Sequence, residues 1–303
     1  LIRGKDPELG RDADTGGQTR YVVELARALG AHPQIARVDL LTRRVLDSSV
    51  SADYARHEEM LSDTARIIRL DCGEDAYLPK EHLWDCLDVF ADNALHWLRE
   101  HELTPDIVHS HYADAGYVGI RLSSQLGVPL VHTGHSLGRV KRRRLLARGL
   151  KRDVIEARYN MSRRVEVEED ILGTAELVIT STNQEIEQQY GLYDHYQPEK
   201  MRVIPPGTEL DNFYPPDGNE RNSQIYRELG RFLLNPDRPV VLALSRPDTR
   251  KNITTLLESY GESEALQAAA NLVVVAGNRD DIRDIDSEAQ QVLTDILLTI
   301  DQY

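Results

Sequence analysis

Residues 10–29 read GRDADTGGQTRYVVELARAL, a polar, glycine-containing loop that runs directly into a segment of periodic apolar residues. The apolar residues recur at positions i, i+3, i+4 and i+7, and they are Val22, Leu25, Ala26 and Leu29. This spacing indicates one face of an amphipathic helix. Gly30 follows and is typical of a helix end. The stretch therefore predicts a loop followed by a helix that buries one face.

The start of this helix carries Thr15, Gly16, Gly17 and Gln18. A glycine pair lets backbone N–H groups approach a ligand closely, and the dipole of the helix favours an anion at its N-terminus. These residues predict a phosphate or diphosphate site. The alternative is a tight turn without a ligand, because glycine pairs are also common in ordinary turns.

The composition argues against several classes of protein. The 303 residues are 41% hydrophobic and carry a formal net charge of −14, which argues against a nucleic-acid partner. No apolar run reaches the roughly 18 residues that span a membrane, and no secretory leader pattern is present. Two cysteines, Cys72 and Cys86, fit a reducing cytosol, so we expect a cytoplasmic protein. Because the chain begins at Leu1 and ends in a helical pattern, we also expect a piece of a longer protein.

Strand-like and helix-like segments alternate along the first two thirds of the chain. This alternation predicts an α/β fold, in which a doubly wound parallel sheet is covered by helices on both faces. Ligands of such folds gather at the carboxyl ends of the strands. The predicted strands are residues 38–42, 66–70, 106–109, 130–133, 177–181 and 201–204, and the predicted helices are residues 82–102, 113–126, 153–172 and 183–190.

A proline-rich stretch between residues 205 and 239 divides the chain into two predicted domains. We expect a first domain over residues 1–214, a linker over residues 215–238 and a second α/β domain from residue 239 to residue 303. The second domain is expected to be incomplete, because only two β–α units follow. They consist of strands at residues 240–244 and 271–276 and helices at residues 252–260 and 286–300.

Polar side chains follow two neighbouring predicted strands, and four of them are histidines: His109, His111, His132 and His135. Hydrogen bonding to a small molecule is one interpretation, and a zinc site is another. For His109 and His132 a third interpretation is a buried imidazole that is satisfied inside the protein. The polar residues 47–63 lie between two other strands, and we expect a mobile loop over the same crevice.

A run of basic residues, RVKRRR at residues 139–144, is unusual in so acidic a chain. It begins just after a predicted strand end, so Lys141 is expected near the ligand crevice. Arg163 and Arg164 form a second basic pair on the next predicted helix. Cationic groups that converge on one crevice would suit a phosphate monoester. The alternative is a solvated helix face.

The second predicted domain opens with SRPDTRKN at residues 245–252. Arg246 and Lys251 lie at a strand end and a helix start, where they could hold a diphosphate. Asn252 or Thr249 is expected to cap the following helix. No GxGxxG follows a predicted strand and no GxxxxGK[ST] is present, which disfavours a nicotinamide dehydrogenase and a P-loop nucleotidase.

Six segments, in this order, resemble landmarks of the bacterial and cyanobacterial sucrose-phosphate synthases. They are GRDADTGGQTRYVVELARAL (10–29), PDIVHSHYADAG (105–116), HTGHSLGRVKRRRLL (132–146), YNMSRRVEVEE (159–169), IPPGTELDNFYPP (204–216) and SRPDTRKNITTLLESYGE (245–262). The resemblance implies a retaining glycosyltransferase of the GT-B fold, with two Rossmann-like domains of which the second is truncated. Such enzymes transfer glucose from UDP-glucose to fructose 6-phosphate, and they usually need neither an active-site metal ion nor a tightly bound cofactor.

By position, the resemblance assigns Gly16 and Gly17 to the donor diphosphate and glucose, and Gln18 to the acceptor sugar. It assigns His135 to the transferred glucosyl group, as a catalytic residue. It assigns the acceptor 6-phosphate to three cations, which are Lys141, Arg163 and Arg164. The partners implied are therefore a sugar phosphate and a nucleotide sugar.

The same resemblance assigns Arg246 and Lys251 to the donor, as catalytic cations that neutralise the diphosphate leaving group. Negative charge develops on UDP as the anomeric bond breaks, so two fixed cations would stabilise the transition state. The paired glutamates that bind ribose and donor sugar in this family would lie beyond Tyr303, and we expect the chain to be inactive without them. Alternatives are sucrose synthase, mannosylfructose-phosphate synthase with a GDP-mannose donor, and a non-catalytic sugar-phosphate-binding domain.

Overall fold

The computed structural model describes residues 4–5, 16–48, 50–210, 213–276 and 287–303. The chain divides into two compact units, Leu1–Thr208 and Glu209–Tyr303. Parallel strands joined through helices form both units, which confirms the predicted α/β fold class. None of the described helices is both long and apolar enough to cross a bilayer. Thr15 and the loop before it lie outside the described residues.

Helix α1 (Gly17–Gly30) begins directly after Gly16 and buries Thr19, Val22, Val23, Ala26 and Gly30. The buried face is rotated from the predicted one, because Leu25 and Leu29 are only half-buried. A Cβ at Gly30 would lie 2.8 Å from Thr64 Oγ1 and 2.9 Å from Ala65 Cβ. Helix α1 ends at Gly30 as predicted, and the missing Cβ of this glycine also allows close packing of the helix end against the start of a strand.

The first sheet has three strands in the order β1–β3–β2. Strands β1 (Val38–Arg43) and β3 (Ala65–Leu70) are parallel, and β2 (Glu58–Met60) is antiparallel to β3. The expectation of a mobile loop over residues 47–63 was wrong, since this stretch contains β2 and a 3₁₀ turn, Ala52–Ala55. Two buried groups hold it in place: Tyr54, and Glu59 in an ion pair with Arg69.

The second sheet contains four parallel strands, β4 (Val108–His111), β5 (Leu130–Thr133), β6 (Leu177–Thr180) and β7 (Met201–Val203). Strand β4 lies two residues later than predicted, because Val108 rather than Asp106 begins the pairing with β5. Helices α2 (Leu87–Glu100) and α3 (Ala113–Leu126) flank β4 in the chain. Two 3₁₀ turns, Lys80–His82 and Trp84–Cys86, replace the start of the predicted helix at residue 82.

Three helices, α4 (Gly138–Ala147), α5 (Arg152–Tyr159) and α6 (Met161–Thr174), separate β5 from β6. The single helix predicted at residues 153–172 was wrong. Asn160 adopts a left-handed conformation with φ of +46°, and this ends α5 and begins α6. The helix predicted at residues 183–190 is a π-helical turn, Glu185–Gln189, followed by a 3₁₀ turn, Tyr190–Leu192.

Two glycines let α3 lie close to its neighbours. A Cβ at Gly116 would lie 2.8 Å from Ile171 Cγ1 and closer still to Ile171 Cδ1, and Ile171 on α6 is fully buried. A Cβ at Gly119 would lie 2.9 Å from Leu130 Cδ1, on β5. Because α3 begins just after β4, this close packing fixes the polar residues at the ends of β4 and β5.

The second unit contains two parallel strands, β8 (Val240–Leu244) and β9 (Asn271–Val275). Its helices are α7 (Gln224–Gly230), α8 (Ile253–Gly261), α9 (Glu264–Ala269) and α10 (Ser287–Gln302). Helix α7 lies within the stretch predicted as a linker. A small buried cluster, consisting of Ile253, Leu257, Ala276, Val292 and Ile296, forms the core of this unit. Large apolar side chains of the same unit are exposed, for example Leu244 and Leu298.

Candidate active site

The four histidines of the predicted cluster lie together at the carboxyl ends of β4 and β5. Ser110 of β4 lies opposite His132 of β5, and His111 opposite Thr133. His135 follows β5 by two residues. The strand-end rule therefore correctly predicted where these polar groups meet.

His109 and His132 are satisfied inside the protein. Nε2 of His109 lies 2.9 Å from Thr133 Oγ1, and Nδ1 of His132 lies 2.9 Å from Ser110 Oγ. His132 is 2% exposed. Both contacts join β4 to β5, so they match the interpretation of these two residues as structural imidazoles.

His111 and His135 form a pair. Nδ1 of His111 lies 3.0 Å from Nε2 of His135, so one ring donates and the other accepts. Tyr21 of α1 packs edge-on against both rings, with centroid distances of 6.0 Å to His111 and 5.1 Å to His135. Since Gly17 precedes Tyr21 by about one helical turn, the start of α1 lies beside this pair.

All four histidines are neutral at physiological pH. Burial lowers the pKa of His109 and of His135 to about 4. Burial, followed by repulsion from neighbouring imidazoles, lowers the pKa of His132 to about 3 and that of His111 to about 2. A neutral His135 can donate or accept one hydrogen bond, which suits a sugar hydroxyl better than an anion.

The backbone beside these rings is strained at two positions. Tyr112 has φ of +77° and His135 has φ of +58°, which non-glycine residues adopt at a cost of about 1–2 kcal/mol. The Tyr112 N–H donates to the Thr133 carbonyl at 2.9 Å, which holds this conformation. Strained residues of this kind are typical of sites where side chains are held for a ligand.

The predicted cations on α4 and α6 have different partners in the protein. Lys141 Nζ lies 3.8 Å from the ring centroid of Tyr159. Arg163 donates to the Trp84 carbonyl at 3.2 Å and to Asp85 at 3.2 Å.

Arg164, next along the chain, points elsewhere. It is 4% exposed, pairs with Glu168 at 2.9 Å and donates to the Ser136 carbonyl at 2.6 Å. Adjacent residues of a helix point about 100° apart, so Arg163 and Arg164 do not share a target.

The basic residues of α4 have different environments. Arg139 is held by Glu169 at 2.5 Å and Asp194 at 2.7 Å, so it is a structural ion pair. Arg143 and Arg144 are exposed. The alternative of a solvated helix face therefore fits these two arginines, whereas Lys141 is half-buried.

The glycine pair leaves open space at the start of α1. A Cβ at Gly16 or at Gly17 would meet no atom within 4 Å. Neither glycine is therefore required by packing within the described residues. Gln18 follows on the first turn and is half-buried.

In the second unit, Arg246 precedes a 3₁₀ turn, Thr249–Lys251, and Lys251 is the last residue of that turn. Arg246 is half-buried and Lys251 is exposed. Asp248 caps this turn, and its hydrogen bonds from Arg250 lower the pKa of its carboxyl to about 2. Asn252 occupies the N-cap position of α8 as expected, but it is left-handed with φ of +52° and its side chain makes no capping hydrogen bond. The Thr249 hydroxyl donates to Glu288 instead.

Among the described residues, no group of three or more histidine, cysteine, aspartate or glutamate side chains is arranged to hold a metal ion. The imidazole nitrogens that face one another at the strand ends are instead hydrogen-bonded to other side chains. The zinc interpretation has no support in this geometry.

Two residues that sequence reasoning missed contribute to this region. Tyr21 packs on the histidine pair, and Glu168 binds the start of α4. The i, i+4 spacing of Arg164 and Glu168 on a helix was a usable signal for an ion pair. Nothing in the local pattern around Tyr21 distinguishes it from a surface aromatic.

Parallel strands that end in paired polar side chains, beside a helix start with an open glycine pair, are typical of Rossmann-like α/β domains. The solved structures that this chain resembles are glycosyltransferases of the GT-B fold. The chain belongs to Glycosyltransferase Family 4, whose model matches residues 15–212.

Sucrose-phosphate synthases are similar to this chain over all of its length. A probable sucrose-phosphate synthase 2 from Arabidopsis thaliana is 42% identical over 100% of the chain, which spans 34% of that relative. A sucrose-phosphate synthase structure from Thermosynechococcus elongatus is 27% identical, with a TM-score of 0.73 over 99% of this chain and 66% of that one. The catalytic domain of starch synthase IV from Arabidopsis thaliana shares the fold, with a TM-score of 0.60 at 13% identity over 97% of this chain and 71% of that one.

Proposed function

We propose that this chain is part of a retaining glucosyltransferase that makes sucrose 6-phosphate from UDP-glucose and fructose 6-phosphate. The observation that carries the proposal is the 42% identity to a sucrose-phosphate synthase along the whole chain. Because the chain spans about a third of that relative's length, we assign the complete reaction to the longer protein. We assign acceptor binding to the first unit.

The acceptor is proposed to lie over the ends of β4 and β5. Gln18 and the neutral His135 would donate and accept hydrogen bonds to sugar hydroxyls. Lys141 and Arg163 would bind the 6-phosphate, each from one side. Arg164 is already paired with Glu168, so we give it the supporting role that is developed below.

The donor is proposed to place its diphosphate against the open backbone of Gly16 and Gly17, where the dipole of α1 favours an anion. Arg246 and Lys251 would neutralise the charge that develops on UDP as the anomeric bond breaks. The fructose hydroxyl would attack from the face that UDP leaves, and a diphosphate oxygen would accept its proton. This step uses no bound metal ion and no tightly bound cofactor.

Fructose 6-phosphate is expected to bind the chain at least about tenfold more tightly than fructose, since a charge-assisted contact to phosphate is worth about 1.5–3 kcal/mol. Calorimetric titration with each sugar measures this ratio. Lys141→Ala should remove most of the preference. Arg143→Ala is the matched control, because it deletes an exposed cation from the same helix.

Equal binding of both sugars would contradict a phosphate-accepting site and would favour a sucrose synthase. Equal loss of affinity in Lys141→Ala and Arg143→Ala would point to the general charge of α4 rather than to a specific contact. Titration with UDP-glucose and GDP-mannose on the longer protein tests the donor separately.

A further inference from the structure

The start of helix α4 is held by a buried carboxylate rather than by solvent. Glu168 is 4% exposed, and its two oxygens accept from the Gly138 N–H at 3.0 and 2.8 Å. The Tyr193 hydroxyl also donates to Glu168. The next amide of the helix, that of Arg139, donates to the Tyr193 hydroxyl at 3.1 Å. Both first amides of α4 are therefore bound by side chains.

The same cluster holds the loop that precedes α4. Arg164 bridges Glu168, at 2.9 Å, and the Ser136 carbonyl, at 2.6 Å. Its guanidinium lies 4.5 Å from the ring centroid of Tyr112. We call Glu168, Arg164 and Tyr193 the Glu168 cluster. It fixes the backbone on both sides of Leu137, between His135 and Lys141.

The start of α4 packs so closely against α6 that position 138 has no room for a side chain. A Cβ at Gly138 would lie 2.8 Å from Glu168 Oε2 and 3.0 Å from Val165 Cγ2. A buried carboxylate is tolerated only when donors and an opposite charge surround it, and here Arg164 supplies the charge. The dipole at the start of α4 favours the same negative charge.

We propose that Glu168 and Tyr193 are positioning residues that set the distance between His135 and Lys141. The inference rests on the proposed function, in which these two residues contact the glucosyl group and the acceptor phosphate. Neither Glu168 nor Tyr193 touches the substrates. They hold the first two amides of α4, and Arg164 holds the Ser136 carbonyl, within the seven residues from His135 to Lys141, so that one sugar phosphate reaches both groups at once.

The decisive variant is Tyr193→Phe, which removes one hydroxyl and keeps the ring that packs against Arg139. We expect amide exchange at residues 138–141 to rise at least about fivefold, since one hydrogen bond to a charged group is lost. Affinity for fructose 6-phosphate should fall about three- to tenfold by the same reasoning. Exchange in β4 and β5 should stay as in the unsubstituted chain. Glu168→Gln should change both readouts more strongly.

Glu166→Gln is the matched control, because Glu166 is exposed two residues earlier on α6. A general loss of stability would raise exchange in all strands of the unit and leave the affinity of the folded protein unchanged, which would overturn the proposal. Unchanged exchange at residues 138–141 in Tyr193→Phe would also overturn it. If Glu168→Gln fails to fold, Tyr193→Phe decides. If the unsubstituted chain binds no sugar phosphate, the proposed function fails, while the exchange measurement still tests whether the Glu168 cluster holds the segment.

Discussion

Acidification from pH 7 to about pH 4.5 is expected to unfold the first unit. The four histidines at the strand ends have native pKa values lowered by burial, to about 4 for His109 and His135, about 3 for His132 and about 2 for His111. In the unfolded chain each pKa returns to about 6.5. The unfolded chain therefore binds protons below pH 6.5 that the native unit excludes, so the free energy of unfolding falls as the pH falls.

The expected slope is large because the four groups lie together. Each histidine contributes up to about 1.4 kcal/mol per pH unit between pH 6.5 and its native pKa. Four of them approach about 5 kcal/mol per pH unit, against a total stability of about 5–15 kcal/mol for a typical domain. Urea unfolding at half-unit steps between pH 7 and pH 5 measures this slope before most carboxylates titrate.

His96→Gln is the control for this experiment, because it removes an exposed imidazole on α2, outside the buried cluster at the strand ends. His132→Gln should lower the slope by the contribution of one proton, about 1.4 kcal/mol per pH unit, whatever its effect on stability at pH 7. A free energy of unfolding that is flat between pH 6.5 and pH 5 would show that the imidazoles titrate normally in the native unit.

Gly116→Ala is expected to destabilise the first unit by about 2–4 kcal/mol, because overpacking forces side chains from their rotamers or shifts the backbone. The added methyl would collide with the side chain of Ile171, which is fully buried on α6. Urea unfolding at pH 7 measures the change. Since α3 follows β4, the same substitution should also weaken sugar binding.

Two further variants test the reason for this loss. Gly191→Ala is the matched control, since its nearest neighbour to a Cβ is 3.9 Å away. Ile171→Val removes the methyl that collides, so in combination with Gly116→Ala it should recover part of the stability. Equal effects of the substitutions at Gly116 and Gly191 would rule out the crowding between α3 and α6.

Periodicity predicted the elements of the fold, and tertiary packing decided their details. Helix α3 ended where Gly127 indicated, because a left-handed C-terminal residue favours glycine. The break at Asn160 was not predicted, since asparagine adopts this conformation only in a minority of its positions. The rotated face of α1 depends on contacts of Gly30 with β3, which lie more than thirty residues away. No local pattern contains that information.

For the candidate site, the sequence predicted the location but not the individual contacts. Strand ends placed the histidines together, because the topology of parallel sheets brings successive loops to one edge. The register of β4 and β5 places Ser110 opposite His132 and His111 opposite Thr133. The predicted strand lay two residues too early to give this register. Arg163 and Arg164 were predicted to share a target, yet the Glu168 carboxylate binds only the second. The roles of these residues in binding stay predictions.

The unequal cores of the two units have a spectroscopic consequence. The chain contains two tryptophans, Trp84 and Trp97, and both belong to the first unit. The second unit, whose described core cluster is small, therefore unfolds without a tryptophan signal of its own. Tryptophan fluorescence therefore reports the unfolding of the first unit, whereas far-ultraviolet circular dichroism reports the helices of both units. A separation of the two curves would mark independent folding units rather than a failed measurement.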